Sequence, residues 1–528
     1  MIRSRYDQIR SIFFINVVTL LLFAFNTPLI AQKVRIGVIS DLHYSHPSLI
    51  VERGKALDDY LNGDRKMILE SDAILKQAVQ YLLSENPDIV LIPGDLTKDG
   101  ELASHLGVAE LLSPLREKGI KVLVVPGNHD INNPNAVSFR GDTVSKEATI
   151  SADDFAAIYK DYGYGRAVSR DEHSLSYVSE PVNGLRVLCI DACRYYDNRF
   201  IAKGDEDDYC ITHGAIKPET MAWLRTEMQV AQLLGKQVLV MIHHNVVEHF
   251  AHQGYFAAPY MVDNFKDVQK KFIEYGINIL FTGHFHSSDI SMVESPDGNI
   301  LYEVETGSVV TYPCPYRIVE KNGDSLHIET KHIEGINYPL PDGTDFKSHA
   351  LMSVERGLRE VLTGFVNEYH HSFAGYLPGW TRSFITIPDA TALTGMIMSN
   401  LSEPGIEMIL AHYCGNEDQL EDAAEKEEEM LNGLNDFISA FAKESAGRLA
   451  GITERFIQRS QVVRNAKETI SSIWNDNVEG QNGERQNYKY GKADDLQLTI
   501  KLKPATEGLT KEYSPCSSSD NIFKNKKR

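Results

Sequence analysis

Residues 121–130 read KVLVVPGNHD. The unbroken Val/Leu run at 122–125 suits a strand covered on both faces, and Pro126-Gly127 stops it. Asn128-His129-Asp130 straight after such a strand is a poor choice for a turn unless the side chains are used. Four further apolar runs end in the same style. VRIGVIS (34–40) leads into Asp41-Leu42-His43, DIVLI (88–92) into Pro93-Gly94-Asp95, QVLVMIH (237–243) into His243-His244, and NILFTG (278–283) into His284-Phe285-His286. A sixth run, RVLCID (186–191), completes a set that predicts an α/β fold with buried strands.

Asp, Asn and His are hard or borderline metal ligands, and in open α/β sheets ligands gather beyond the carboxyl ends of the strands. Five strand tips spread from residue 41 to residue 286 can therefore meet at one place. In Asp41-x-His43 and His284-x-His286, residues i and i+2 of an extended segment point the same way. Gly94, Gly127 and Gly283 stand where the chain must turn with nothing filling the space beside an ion. Taken singly the motifs have bland explanations: Gly94-Asp95 reads as a turn and Asp41-x-His43 as a strand-end cap. Turn chemistry does not explain all five in this order.

Composition narrows the class. The chain has 528 residues, 53 Lys plus Arg against 73 Asp plus Glu, and a formal charge of −20, which repels polyanions at long range and argues against generic nucleic-acid binding. Gly 37, Pro 20 and an apolar fraction of 42% exclude collagen-like and wholly disordered chains. Six Cys without a paired CxxC exclude a disulfide scaffold and a structural zinc signature, and leave one or two disulfides open for an exported chain. No GxSxG elbow supports a serine nucleophile.

Residues 1–31 combine Arg3, Arg5 and Arg10, an apolar run from 12 to 25, and an exit at Ala31, the layout of a signal peptide. Export to the periplasm or the extracellular space is expected; the alternative is an uncleaved N-terminal anchor. No later stretch is apolar enough to span a bilayer. The insertion at 51–85 carries helical spacing and reads as one or two helices. The turn-rich INYPLPDGTD (336–345) marks a boundary, beyond which 346–369, 390–401 and 420–459 have helical periodicity. The acidic run 425–429 reads as a solvated helix face. The expected organisation is a signal peptide (1–31), a catalytic domain (32–335), a helical C-terminal domain (346–475) and a polar segment (476–528) with one alternating run, LQLTIKL (496–502), and a disordered tail.

The series Asp41-Leu42-His43, Gly94-Asp95, Gly127-Asn128-His129-Asp130, His243 and Gly283-His284-Phe285-His286 resembles the calcineurin-like metallophosphoesterases over roughly 34–310. Gly94-Asp95-Leu96-Thr97 with the Asn-His-Asp run is most similar to the class III cyclic-nucleotide phosphodiesterase branch. The resemblance implies a double β-sheet sandwich flanked by helices, with the mainly helical C-terminal region appended. It implies one metal ion on Asp41, His43 and His286, a second on Asn128, His243 and His284, and Asp95 bridging both. His129 would be no ligand; it would face the phosphate as transition-state stabiliser or general acid. Relatives often follow the His-His pair with Pro, whereas Asn245 stands here, so His244 remains the fallback for His243.

Two cations about 3.5–4 Å apart lower the pKa of a bridging water and clamp phosphoryl oxygens during in-line attack. The mixed donor set suits divalent or trivalent Mn, Fe, Zn, Co or Ni over Mg or Ca, without naming one. The expectation is thus a metal-dependent phosphoesterase acting through a metal-bridging hydroxide on a small-molecule phosphoester, diesters ahead of monoesters. A phosphomonoesterase or nucleotidase on the same metals, and a non-catalytic envelope protein binding metal or phosphate, are the alternatives. No substrate-binding residue is assigned. His46, His249, His252 and Tyr255, with Tyr312, Cys314, Tyr316 and Arg317, are left between lining the pocket and packing.

Overall fold

The computed structural model describes residues 33–200, 209–369, 385–476 and 489–502. The segment 1–31 expected to be a signal peptide, the tail beyond 502 and Cys516 lie outside the described residues. Two large mixed sheets dominate. The first runs in the order Gln497–Lys501, Ser325–His332, Pro315–Asn322, Lys33–Val38, Ile89–Ile92 and Lys121–Val124. The second has eight strands, with Ile279–Thr282, Gln237–Ile242 and Leu185–Ile190 adjacent and parallel at its centre.

Alternation in the central strands explains why their sequences are mostly apolar on both faces. Val187, Leu239, Met241, Ile279 and Phe281 face the core shared with Ile36, Ile89 and Val319 of the first sheet. Leu188, Val240, Ile242 and Leu280 face the opposite way, onto Leu224 and Met228 of helix Pro218–Leu233 and Phe272 of helix Phe265–Tyr275. A strand wedged between a second sheet and a helix layer has no wet face, so the one charged residue of these three strands, Arg186, is paired at 2.7 Å with Glu227 of the covering helix. The first sheet is covered by helix Ser71–Glu85, whose Ile74, Leu75, Ala78, Val79 and Leu82 are buried at helical spacing. The insertion accordingly forms two helices, Lys55–Gly63 and Ser71–Glu85, together with the edge strand Ile50–Glu52 of a small third sheet.

From 346 to 476 the described residues are mainly helical: Phe346–Tyr369, Ala390–Asn400, Ser402–Cys414, Ala423–Ala446, Ala450–Gln458 and Gln461–Trp474. The expected helix over 420–459 is broken by a turn at Gly447–Leu449, and Ser402–Cys414 and Gln461–Trp474 are additional. The last described stretch returns to both sheets. Lys489–Lys492 pairs antiparallel with Ile290–Glu294, and Gln497–Lys501 with Ser325–His332. The polar segment thus carries two strands, one on each large sheet, where its sequence signalled only the second. Among the described residues no helix is long and apolar enough to cross a membrane, and Cys189, Cys193, Cys210, Cys314 and Cys414 are free thiols.

Candidate metal centre

The first two strand tips lie side by side: Asp41 N donates to Gly94 O at 3.3 Å and His43 N to Asp95 O at 2.9 Å. Around them the side chains converge. His43 Nε2 stands 3.1 Å from His286 Nε2, and His286 Nε2 is 3.3 Å from Asp41 Oδ1. Asp95 Oδ2 lies 3.6 Å from His43 Nε2 and 3.3 Å from His243 Nε2, which in turn is 3.1 Å from Asn128 Oδ1. The His243 and His284 ring centroids are 4.6 Å apart. Donor atoms of Asp41, His43 and His286 fall within 4.8 Å of one another, as do those of Asp95, His243 and His284. All seven sequence-predicted ligands are buried. The structure brings them to one place, with Asp95 between the two groups.

Convergence is reached differently from the extended i, i+2 arrangement. Asp41 (φ 52°), His43 (φ 36°), Asp95 (φ 48°), His284 (φ 77°) and His286 (φ 74°) all occupy left-handed backbone. Strain of this kind costs about 1–3 kcal/mol per residue and persists where the surroundings over-determine it. The donor set fits cations on several counts. His43 Nε2 and His286 Nε2 face each other at 3.1 Å, with Asp41 Oδ1 3.8 and 3.3 Å from them, an arrangement that suits a shared cation. A Cβ on Gly127 would stand 2.0 Å from Asp95 Oδ1, and one on Gly283 would stand 2.3 Å from Asp41 Oδ2, so both glycines keep the carboxylates clear.

The supporting contacts fix which nitrogen each ring presents. His243 Nδ1–H donates to Pro93 O at 2.7 Å, leaving Nε2 toward Asp95; His284 Nε2–H donates to Pro259 O at 3.1 Å, leaving Nδ1. Burial pushes His43, His284 and His286 below the ordinary imidazole range, and the Lys66 charge adds to this at His43 and the neighbouring imidazoles at His284. Burial opposes charge on His243 too, but Asp95 outweighs it and raises the ring to about 9. His244 differs: its Nε2 meets Thr212 O at 2.8 Å, and burial with the His243 charge lowers it to about 3. The geometry therefore brings His243, not His244, to Asp95 and Asn128.

His129 stands at the rim with a quarter of its side chain exposed. Its Nδ1 is 2.7 Å from Lys98 O and 3.0 Å from Asp99 Oδ1, and its ring centroid is 4.9 Å from that of His43. Burial works against the imidazolium, yet Asp95 and Asp99 outweigh it and the ring is more basic than usual. Its own amide donates to Asp95 Oδ1 at 2.9 Å, which turns Oδ2 toward the histidines.

Several residues with supporting roles carried no assignment from the sequence. Asp130 accepts hydrogen bonds from Gly127 N, Leu96 N, Thr97 N and Thr97 Oγ1 at 2.8–3.1 Å, tying the Gly94 and Gly127 loops together. Its position in the Asn-His-Asp run was the one available signal. Glu303 accepts from Val246 N (2.9 Å), Val247 N (2.7 Å) and Asn245 Nδ2 (2.8 Å), and so pins the segment that follows His243. His249 does not face substrate: it is buried between Asp289 (2.5 Å) and Glu303 (3.2 Å). His252 pairs with Glu468 at 2.8 Å, and Arg317 is fully buried and donates to Asp495 O. His46 caps a turn through Ser48, and Tyr255 is exposed.

Residues 34–288 match the family model for calcineurin-like phosphoesterases. A 65-residue stretch is 37% identical to a probable cyclic nucleotide phosphodiesterase of Vesicomyosocius okutanii, covering 12% of this chain and 27% of that protein. A 72-residue stretch is 35% identical to a protein of the same description from Ruthia magnifica, covering 14% of this chain and 30% of that protein. The chain thus spans less than a third of the length of either relative. Among solved structures, a dimetal phosphatase from Danio rerio aligns with a TM-score of 0.40 and 17% identity over 57% of this chain and 96% of that one. A purple acid phosphatase from yellow lupin seeds gives 0.33 and 14% over 57% and 52%.

Proposed function

Residues 34–288 are a calcineurin-like phosphoesterase domain, and from that premise we propose that the protein hydrolyses phosphate esters, diesters ahead of monoesters, at a centre of two metal ions. The observation that carries this reading is the placement of Asp95 Oδ2 between His43 Nε2 (3.6 Å) and His243 Nε2 (3.3 Å), with Asp41 and His286 on one side and Asn128 and His284 on the other. Asp41, His43 and His286 would hold one ion, Asn128, His243 and His284 the other, and Asp95 both. When bound, such a pair supplies Lewis acidity to the phosphoryl oxygens and acidifies a water. The oxygen, amide and imidazole donors suit Mn, Fe, Zn, Co or Ni.

The chain's own residues supply the rest. His129, its Nδ1 held by Lys98 O and Asp99, offers Nε2 at the rim to the leaving oxygen as proton donor. Lys98 sets the Asp99 carboxylate, at 2.5 Å, and is itself paired with Glu101 at 3.0 Å. The diester preference is supported by the names of the two curated relatives, which match here over short stretches. Export is part of the proposal, resting on the basic start and apolar run of residues 1–31, and the partner is a small phosphoester rather than a polynucleotide. Initial rates of the Mn-loaded protein on p-nitrophenyl phosphate and bis(p-nitrophenyl) phosphate test the preference. The expected outcome is a kcat/KM for the diester above that for the monoester; the reverse order would make it a phosphomonoesterase.

A further inference from the structure

Two cations near the centre have no part in the scheme above. Arg65 and Lys66 lie on the turn between helices Lys55–Gly63 and Ser71–Glu85. That turn is anchored beside the first strand tip. Met67 N donates to Val310 O at 2.8 Å, while Val309 N donates to Ser40 O and Ser308 Oγ to Asp41 O. Arg65 Nη2 donates to Tyr260 Oη at 3.2 Å, and the Tyr260 ring lies 4.9 Å from the ring of His284. Lys66 Nζ is 3.5 Å from Asp64 Oδ2, with about a tenth of its side chain still exposed (12%). Lys66 stands between Arg65 and the Met67–Val310 anchor, so the two cationic residues sit together beside the first strand tip. The C-terminal region holds the turn from behind. A Cβ on Gly357 of helix Phe346–Tyr369 would stand 2.6 Å from the Arg65 backbone.

Charge pairing within the turn is incomplete: two cations stand against one carboxylate, and the Arg65 guanidinium meets a phenol. The cluster's own carboxylates are engaged elsewhere, Asp41 by His284 N and Ser40 Oγ, Asp95 by His129 N. A guanidinium and an ammonium on adjacent residues, still reached by solvent at the edge of a phosphoester site, suit oxyanion recognition.

We propose that Arg65 and Lys66 anchor a second anionic group, phosphate or carboxylate, on the phosphoester that reacts at the metal centre. The substrate class is therefore an ester carrying a negative charge besides that of the scissile phosphoryl group. This rests on the phosphoesterase reading and adds a specificity to it.

Calorimetric titration of the Mn-loaded protein with methylphosphonate and with phosphonoacetate, which differ by a carboxylate, tests the pair without turnover. The wild-type protein is expected to bind phosphonoacetate about tenfold or more tightly than methylphosphonate, the size of one charge-assisted contact. Lys66→Met is expected to remove that preference and Lys66→Arg to keep it, with Arg65→Met reducing it. Equal wild-type affinities, or a Lys66→Met protein that weakens both phosphonates by the same factor, would overturn the assignment. Inactivity of the loaded wild-type protein on every ester would overturn the hydrolase reading instead, and the titration would still decide the anion pair.

Discussion

Asp130 shows how much of the site's precision sits one contact away from its donor atoms. Its four accepted hydrogen bonds join two loops, and its own carbonyl receives His105 Nε2–H at 2.7 Å, while Tyr159 Oη meets His105 Nδ1 at 2.9 Å. These partners fix His105 as the neutral Nε2–H tautomer, and burial lowers its pKa to about 4 against the opposing pull of the Asp130 carbonyl. The sign follows from linkage. A folded pKa below the unfolded value of about 6.5 gives stability that is complete above pH ~6.5 and is lost as pH falls toward 4, of order 3 kcal/mol. Chemical denaturation between pH 7 and 4 is expected to show this loss, and His105→Gln to show a shallower one; parallel slopes would contradict the assignment. The seven predicted ligands were legible because each follows a Val/Ile run at a strand end. The roles of Asp130 and Glu303 were not, because their partners lie on other loops, and no residue pattern announces left-handed backbone at Asp, His and His.

At the scale of elements, legibility followed burial. The six strands wedged between two covered faces read as apolar runs broken inside only by Arg35 and Arg186, and the structure places each within a residue or two of its run. Strands such as Ser325–His332, whose residues are largely half-buried, mix polar and apolar residues and gave no comparable signal. Contacts between elements carry the site's stability. Glu303, on strand Ile300–Glu305, holds the amides of Val246 and Val247 and also receives Thr282 Oγ1 at 3.2 Å. Glu303→Gln replaces one acceptor with a donor facing those donors, and burying such a mismatch costs about 1–3 kcal/mol. A lower melting temperature together with reduced Mn content by elemental analysis is expected. A protein that melts lower yet keeps full Mn content would show that the His243 turn does not depend on this strand.

Across the whole molecule, the C-terminal region closes back on the sheets that carry the site. Asp495 receives Ile290 N at 2.6 Å and Asn416 N at 2.7 Å, and its carbonyl receives Arg317 Nη1, so strands Ile290–Glu294 and Pro315–Asn322 and the turn after helix Ser402–Cys414 meet at one residue. A chain ending at residue 345 loses Asp495 and one strand from each large sheet. It is expected to lose cooperative unfolding by circular dichroism, whereas a melt like that of the full chain would make the C-terminal region dispensable to the fold. The net charge of −20 acts at this scale as well, repelling polyanions at a distance, while under the proposed function the response to a phosphoester would be set locally by the bound metal ions. Stripping the purified protein with a chelator and back-titrating with Mn²⁺ while following bis(p-nitrophenyl) phosphate hydrolysis, with Asp95→Ala in parallel, decides whether hydrolysis depends on a two-metal centre around Asp95. Activity is expected to return and saturate near two equivalents of metal per chain, and to fall by about 100-fold or more in Asp95→Ala, the scale of losing a residue that organises the reacting centre. Hydrolysis that is independent of metal, or equal in wild type and Asp95→Ala, would contradict that dependence.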